Sequence, residues 1–246
     1  MSLVSEGYVY VSSEDAGVLA HARAGMTISL QDRRPPWIVV DHSIGSIIVA
    51  RWPGKLWRVR VADVDGIEQA SVAARYTRAF SVEIIDGIPV SRLFGERGEA
   101  VCSVIEKATN LELSQIQLLA RARDPAAADA YSRTWNDWLA AVGESAPYRD
   151  EDLRGTLAIP AGGSPVQCGL TVLYQTISKR AADLAGSSAF IVDDDGNKYL
   201  EPTWSAAAGA LLEAAMAFGA PLVSDSDRLI MSKAWHLVFG ADTKQS

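Results

Sequence analysis

The densest run of acid in the chain is IVDDDGNKYLEP, residues 191–202, where three aspartates precede a glycine. A calcium loop of the helix–loop–helix type needs acidic or amide side chains at positions 1, 3 and 5, glycine at 6 and glutamate at 12. Counting from Asp193, the first three requirements are met, but Lys198 and Trp204 occupy positions 6 and 12. The spacing therefore excludes a calcium loop, and we predict neither a metal site nor a cofactor.

The same letters favour a β-hairpin. Asp195-Gly196 is typical of a type I′ turn, and pairing outward from it sets Asp193 against Lys198. The predicted strands are 189–193 and 198–201. Negative charge at such a tip suits contact with a basic partner. The acidic side chains that we assign to partner binding are Asp193, Asp194, Asp195 and Glu201.

Cys168 is the best candidate nucleophile. It follows Ser164-Pro165, a helix start, and the helix dipole favours a thiolate in the first turn. The apolar stripe of this helix leaves Cys168 on another face, which predicts an accessible thiol. A cysteine hydrolase would add His236 as base and Asp242 as its orienting group. The predicted stripe is Val166, Leu170, Leu173, Ile177 and Leu184.

A third candidate is a basic segment rich in tryptophan. Arginine beside aromatic side chains can stack on bases and hold phosphates, and the same pair of residue types anchors protein interfaces. Nearby aspartates dilute the charge, so nucleic-acid binding is the weaker interpretation. The residues assigned to partner binding here are Trp52, Trp57, Arg58 and Arg60, flanked by Arg33, Arg34, Trp37, Arg51 and Lys55.

Glu213 stands alone in an alanine-rich segment, residues 204–223. A buried carboxyl with a raised pKa can act as a general acid. The simpler interpretation places Glu213 at the solvent edge of the helix or pairs it with an arginine. The segment resembles a membrane span in hydrophobicity, but two glycines, Pro221 and the lack of basic flanks favour a buried helix.

Composition limits the classes of function. The 246 residues carry 23 Lys/Arg and 30 Asp/Glu, a net charge of −7 that disfavours broad binding to nucleic acid or anionic lipid. The N-terminus lacks a basic region followed by an apolar core, so no signal peptide is predicted and the cytoplasm is the default location. Two cysteines exclude a disulfide framework.

The elements that must position these residues indicate an α+β fold. We predict an N-terminal lobe rich in strands and hairpins, a helical middle, and a C-terminal α/β lobe with a hairpin at about 189–201. In the first lobe, residues 8–11 form a strand, residues 12–25 a helix begun by Ser12, and Pro53-Gly54 turns a hairpin within residues 45–64. A further strand follows at 80–90.

Three helices are predicted in the middle of the chain. They are GEAVCSVIEKA, with Val101, Val104, Ile105 and Ala108 as its stripe; a helix begun by Thr109 and Glu112; and one capped by Asp124. The third buries Tyr131, Trp135, Trp138, Leu139 and Val142. The last helix buries Ile230, Ala234, Leu237 and Val238.

The polar segment 144–155 is the predicted linker. It divides the chain into a lobe at 1–146 and a lobe at 147–246, with one continuous domain as the alternative. A short strand, residues 156–159, opens the second lobe.

Three functions stay open. The favoured one is a non-catalytic binding protein, of the inhibitor or immunity type, that neutralises a basic toxin or effector by direct contact. The second is a hydrolase or transferase that uses Cys168 and His236. The third is a sensor of small molecules or nucleic acid that uses the basic, tryptophan-rich segment.

Overall fold

The computed structural model describes residues 6–14, 17–64, 76–142 and 165–240. Within these ranges it has six helices and seven strands, about 51% helix and 22% strand. Strands dominate the first part, three helices fill the middle, and helices with one short hairpin follow. The predicted α+β class is therefore confirmed.

The chain divides into two compact units. Unit 1 comprises residues 1–93 and 151–168, and unit 2 comprises residues 94–150 and 169–246. The predicted linker and lobe boundary, and the strand predicted at 156–159, lie outside the described residues and stay predictions.

Unit 1 is built on an antiparallel sheet whose pairings close on themselves. Strand β1 pairs with β3 and β4, and β5 pairs with β3 and β4, so these four strands form a ring. Strand β2 extends the edge of β5 that β3 occupies. The strands are β1 (Glu6–Ser12), β2 (Thr27–Ser29), β3 (Ile38–Asp41), β4 (Gly54–Val64) and β5 (Tyr76–Ile88).

Alternating side chains of this ring point into a shared core. Val9 and Val11 of β1 are buried, whereas the residues between them are partly exposed, the pattern of a strand with one buried face. The β4–β5 register shifts at irregularities near Val59 and Asp63. The core comprises Val9, Val11, Ala22, Ile28, Ile38, Val40, Val59, Ala79, Val82 and Ile84.

The helix predicted at 12–25 is wrong. Strand β1 continues to Ser12, and the described residues after it form turns in which Ala20 and Ala22 donate to the carbonyls three residues earlier. Exchange of hydrogen bonds between Ile84 and the Gly25–Met26 segment ties the end of this stretch to β5. Sheet pairing therefore overrides the local helix signal.

The hairpin predicted around Pro53-Gly54 is also wrong. Both edges of β4 are occupied, by β1 and by β5, so the preceding segment cannot pair with it. That segment contains a 3₁₀ turn, Ile44–Ser46, and no strand. The strand predicted at 80–90 is present as the longer β5.

Unit 2 is helical and is organised around one central helix. Helix α5 contacts α1, α2, α3 and α6. Eleven of its 18 residues are buried, and six of those are alanines, which let neighbouring helices approach closely. The described helices are α1 (Gly98–Thr109), α2 (Leu113–Ala122), α3 (Ala127–Val142), α4 (Pro165–Ala185), α5 (Pro202–Gly219) and α6 (Asp225–Phe239), and all belong to unit 2 except the first four residues of α4, which belong to unit 1. None of the described helices is long and apolar enough to cross a membrane.

Of the three predicted middle helices, the α1 stripe and the Asp124 cap are confirmed, whereas the predicted start of α2 is wrong. The α1 stripe is confirmed, with all four members buried. Helix α2 begins later than predicted, because the Thr109 hydroxyl donates to Ile105 in α1, and Glu112 forms a capping box with Gln115 instead. Asp124 accepts from the Ala126 backbone, as a cap should.

Two predicted stripes are correct only in part. In α3 Trp138 is buried, Tyr131 and Trp135 are half-buried, and the side chains of Leu139 and Val142 lie outside the described part of the chain. In α6 Ala234 is buried, but Leu237 is 69% exposed, because Met231 and Phe239 face the unit instead.

Candidate functional site

The acidic motif forms a hairpin, as predicted, but with a different turn. Strands β6 (Phe190–Val192) and β7 (Lys198–Leu200) pair antiparallel, with Val192 opposite Lys198. Gly196 donates to the Asp193 carbonyl and has φ of +83°, and no described residue other than glycine has positive φ. The turn is therefore a type I turn followed by a left-handed glycine, not type I′. We call residues 190–200 the acidic hairpin.

The one-residue difference in register corrects the predicted cross-strand pairs. Asp193 does not oppose Lys198, and Asp194 does not oppose Asn197. Instead the Asp193 carboxylate accepts from the Asn197 backbone at 2.8 Å, from the Asp195 backbone at 3.1 Å and from the Asn197 side chain at 3.1 Å. These hydrogen bonds, led by those from Asn197, lower the pKa of Asp193. Asp193 therefore holds the turn.

The tip of the acidic hairpin combines charge with exposed apolar surface. Asp194 and Asp195 are exposed, and no described residue pairs with their carboxylates. Ile191 and Tyr199 lie directly opposite each other and are 49% and 52% exposed. Val192 is exposed as well. The exposed apolar side chains beside unpaired acids make this tip a candidate interaction surface.

Glu201 has a local role that the sequence motif did not reveal. It caps helix α5, accepting from the Thr203 backbone at 3.0 Å and from the Thr203 hydroxyl at 3.3 Å. A carboxylate at a helix N-terminus is also stabilised by the helix dipole. Glu201 thus fixes the junction between the hairpin and the central helix of unit 2.

The prediction that Cys168 is accessible is wrong. The residue is only 3% exposed, and burial raises the pKa of its thiol to about 12. The predicted apolar stripe of α4 is buried, except for the half-buried Leu184. Because Cys168 lies on a different face of the helix and is buried as well, the first turns of α4 are covered on more than one side. A thiol in this state is protonated at neutral pH and does not attack a substrate.

The other members of the proposed cysteine site do not strengthen it. His236 is exposed on α6, in edge contact with the Phe218 ring, and belongs to unit 2, whereas Cys168 belongs to unit 1. Asp242 lies outside the described residues. Cys102 is half-buried, and burial raises the pKa of its thiol to about 11.

Two arginines of the basic segment, Arg58 and Arg60, are paired within the sheet. Arg58 forms a two-point contact with Asp86, at 3.1 and 3.0 Å. Arg60 bridges Glu83 at 2.7 Å and Glu6 at 3.1 Å. These carboxylates raise the pKa of both guanidinium groups and neutralise the strand. The positive field that a phosphate backbone requires is therefore absent around this pair.

The tryptophans of this segment are partly covered. The ring of Trp57 packs against the sheet core, and its Nε1 is buried with no hydrogen-bond partner. Trp52 is half-buried. Neither presents the fully exposed ring that base stacking needs.

Glu213 is buried and paired with an arginine, so the arginine-pair interpretation is confirmed and the solvent-edge interpretation is wrong. Arg123 donates to Glu213 at 2.9 and 2.5 Å. A Cβ at Gly209 would lie 2.6 Å from the Arg123 guanidinium carbon, so the glycine makes room for it. Burial raises the pKa of Glu213 despite this contact.

Asp41, at the end of β3, is a titratable site that sequence reasoning missed. Burial raises the pKa of its carboxyl to about 7, and a hydrogen bond with Ser46 opposes that rise. The neighbouring His42 contacts the Thr77 hydroxyl at 2.8 Å. The sequence feature that could have indicated this buried carboxyl is its position directly after the apolar run IVV, residues 38–40.

Among the described residues, no group of three or more His, Cys, Asp or Glu side chains is placed to hold a metal ion. The strongest candidate site by geometry is the acidic hairpin, because its charge and its apolar side chains are both open to solvent. No family model, no curated protein and no solved structure matches the chain.

Proposed function

We propose that this protein is a non-catalytic binding protein, of the inhibitor or immunity type, which neutralises a basic toxin or effector by direct contact through the acidic hairpin. The observation that carries the proposal is the set of unpaired acids, Asp194 and Asp195, beside the exposed Ile191, Val192 and Tyr199. Exposed aromatic and aliphatic side chains supply contact area, and the acids select a basic surface.

The distribution of charge between the units supports the choice of surface. Unit 2 contains 12 Lys/Arg and 18 Asp/Glu, a net charge of −6, whereas unit 1 contains 11 and 12, a net charge of −1. The acidic hairpin belongs to unit 2. Long-range attraction of a basic partner therefore acts on the unit that carries the hairpin, and it accelerates encounter.

The local geometry supports a defined role for each acid. Asp193 holds the turn and Glu201 caps α5, so both orient the tip. Asp194 and Asp195 make no contact of this kind with their carboxylates and stay available for a partner. Partner binding by Trp52, Trp57, Arg58 and Arg60 receives no comparable support, since the two arginines are already paired.

The alternative with Cys168 as nucleophile receives no support from the geometry, because burial keeps its thiol protonated. The nucleic-acid version of the sensor is weakened by the internal ion pairs of Arg58 and Arg60. Its small-molecule version rests on a different part of unit 1, described below.

The test is affinity capture from the native lysate with three baits: the wild type, D194N/D195N, and D183N as a control. Asp183 is an exposed acid on α4, so D183N removes one negative charge of unit 2 away from the tip, against two at the tip in the double variant. We expect the wild type and D183N to retain one stoichiometric basic protein whose activity they suppress on titration. The double variant should retain at least about tenfold less.

Equal retention by all three baits would contradict the hairpin as the binding surface. A partner that keeps its full activity when bound would contradict the inhibitory role. Absence of any stoichiometric partner, together with turnover of a small substrate by the purified protein, would contradict the proposal as a whole.

A further inference from the structure

Unit 1 contains a cavity of about 740 Å³ against the ring of strands. Its floor is formed by the core side chains Val9, Val11 and Ile38, and its sides by the segments 17–19 and 30–37. The volume lies within the range of about 300–1,000 Å³ that is usual for small-molecule sites, which often occur at the mouths of closed strand rings.

The wall of this cavity is mainly apolar. Leu19, Leu30 and Trp37 line it, and the Trp37 ring is held in edge contact with Phe80 at 5.1 Å between centroids. Tyr10 also lines the cavity, and its hydroxyl donates to the Arg51 carbonyl at 2.8 Å. Such a wall favours a ligand with a hydrocarbon or aromatic body.

Three polar side chains complete the lining, and one of them is an unpaired cation. Arg34 is exposed and forms no ion pair or hydrogen bond with a described residue. Its neighbour Arg33 forms an ion pair with Asp63 at 2.5 Å, and the Arg33 guanidinium carbon lies 4.8 Å from the centroid of the Phe80 ring. Gln31 and Asp32 are the other polar residues of the lining.

A second cavity, of about 410 Å³, has a further basic residue, Lys55, in its lining. It shares Val11 and Leu19 with the first cavity, so the two flank the same side chains. It is also lined by His21 and Lys55. Arg34 and Lys55 together outweigh Asp32, which favours an anionic group on the ligand.

We propose that the larger cavity binds a small amphipathic anion, with its apolar body against Val11, Leu19 and Trp37 and its anionic group at Arg34. The geometry supplies an apolar floor, a rigid aromatic wall and one uncommitted guanidinium, which pairs well with a carboxylate. This site is separate from the acidic hairpin and belongs to the other unit.

The test is isothermal titration of the full chain with octanoate, and with octanol and octylamine as uncharged and cationic probes. We expect octanoate to bind with one site per chain in the millimolar range or tighter. The R34Q variant should bind it at least about tenfold more weakly, the effect of one lost charge-assisted hydrogen bond. The control R23Q removes an exposed arginine outside the lining and should bind octanoate as the wild type does.

A second variant tests the cavity itself. Val18 lines the cavity, is 50% exposed and lies in a turn outside the strands, so V18W enlarges the lining without replacing a core residue, and it should abolish binding. Three outcomes would each overturn the proposal: no octanoate binding by the wild type, binding unchanged in R34Q or in V18W, or tighter binding of octylamine than of octanoate.

Discussion

Asp41 ends strand β3 with a carboxyl whose pKa burial raises to about 7. In the unfolded chain the same group titrates near 4, so between about pH 4 and 7 the folded state holds a proton that the unfolded state has lost. Stability therefore falls as pH rises through this window, and the cost is complete above the folded pKa. Burial of the ionised form is the physical cause.

The D41N variant should lack this pH dependence. At pH 8 we expect D41N to be more stable than the wild type by only about 1–2 kcal/mol, because the Asp41 carboxylate keeps part of its contact with solvent. Near pH 4 the two proteins should be equally stable. Urea denaturation of both proteins across this range measures the difference. A constant offset between them at every pH would contradict the account.

The pair formed by Arg123 and Glu213 is the main buried charge interaction described in unit 2. The Glu213 side chain is 4% exposed and that of Arg123 is 31% exposed. Removing one partner leaves an uncompensated charge, whereas replacing both with apolar groups removes the desolvation cost as well.

We expect E213L to lose about 2–3 kcal/mol of stability. The loss is smaller than for breaking a fully buried ion pair, because the Arg123 side chain is partly exposed to solvent. The double variant R123M/E213L should recover most of that loss. The control K233M removes an exposed partner of Asp124 and should change stability by less than about 0.5 kcal/mol. Additive losses in the double variant, measured by urea denaturation, would refute the pairing argument.

At the scale of elements, the acidic hairpin depends on one left-handed residue. Gly196 has φ of +83°, where a side chain costs about 1–2 kcal/mol, and no atom within 4 Å would contact an added Cβ. The G196A variant should therefore loosen the turn through backbone strain alone. We expect faster hydrogen exchange at the Asp193 and Gly196 amides.

The matched control is G17A, the same change at an open glycine without positive φ. It should leave exchange in the hairpin unchanged. Unaltered exchange at Asp193 and Gly196 in G196A would contradict the left-handed conformation of Gly196 and therefore the described turn.

The elements that local patterns specify are the ones the sequence predicts. Helix α1 has a continuous apolar stripe and its predicted residues are buried, and the hairpin lies where Asp-Gly indicates it. Residues 12–25 carry helix signals, yet Ser12 ends strand β1, the described residues after it form local turns, and the end of the stretch is tied to β5 through Gly25 and Met26. Pairing partners at large sequence separation cannot be inferred from propensity.

The candidate site divides in the same way. The acids of the tip were predicted, but their separate roles were not, because the register differs by one residue and leaves Asp193 in the turn. The burial of Cys168 depends on what covers the first turns of α4, which helix periodicity does not reveal. The cavity depends on the assembly of distant segments and has no sequence signature.

At the scale of the whole molecule, charge and chemistry are separated between the two units. Unit 2 carries most of the net negative charge and the acidic hairpin, whereas unit 1 pairs Arg58 and Arg60 internally and contains the cavity with the unpaired Arg34. The proposed protein contact and the proposed ligand site are therefore independent, and each can fail without the other.

The most direct test of the central claim is the affinity of the captured partner for wild type, D194N/D195N and D183N, measured by titration at low and high salt. We predict at least about tenfold weaker binding for the double variant, a smaller salt dependence, and wild-type affinity for D183N. Equal affinity and equal salt dependence for all three proteins would contradict the claim that the acidic hairpin recognises a basic partner.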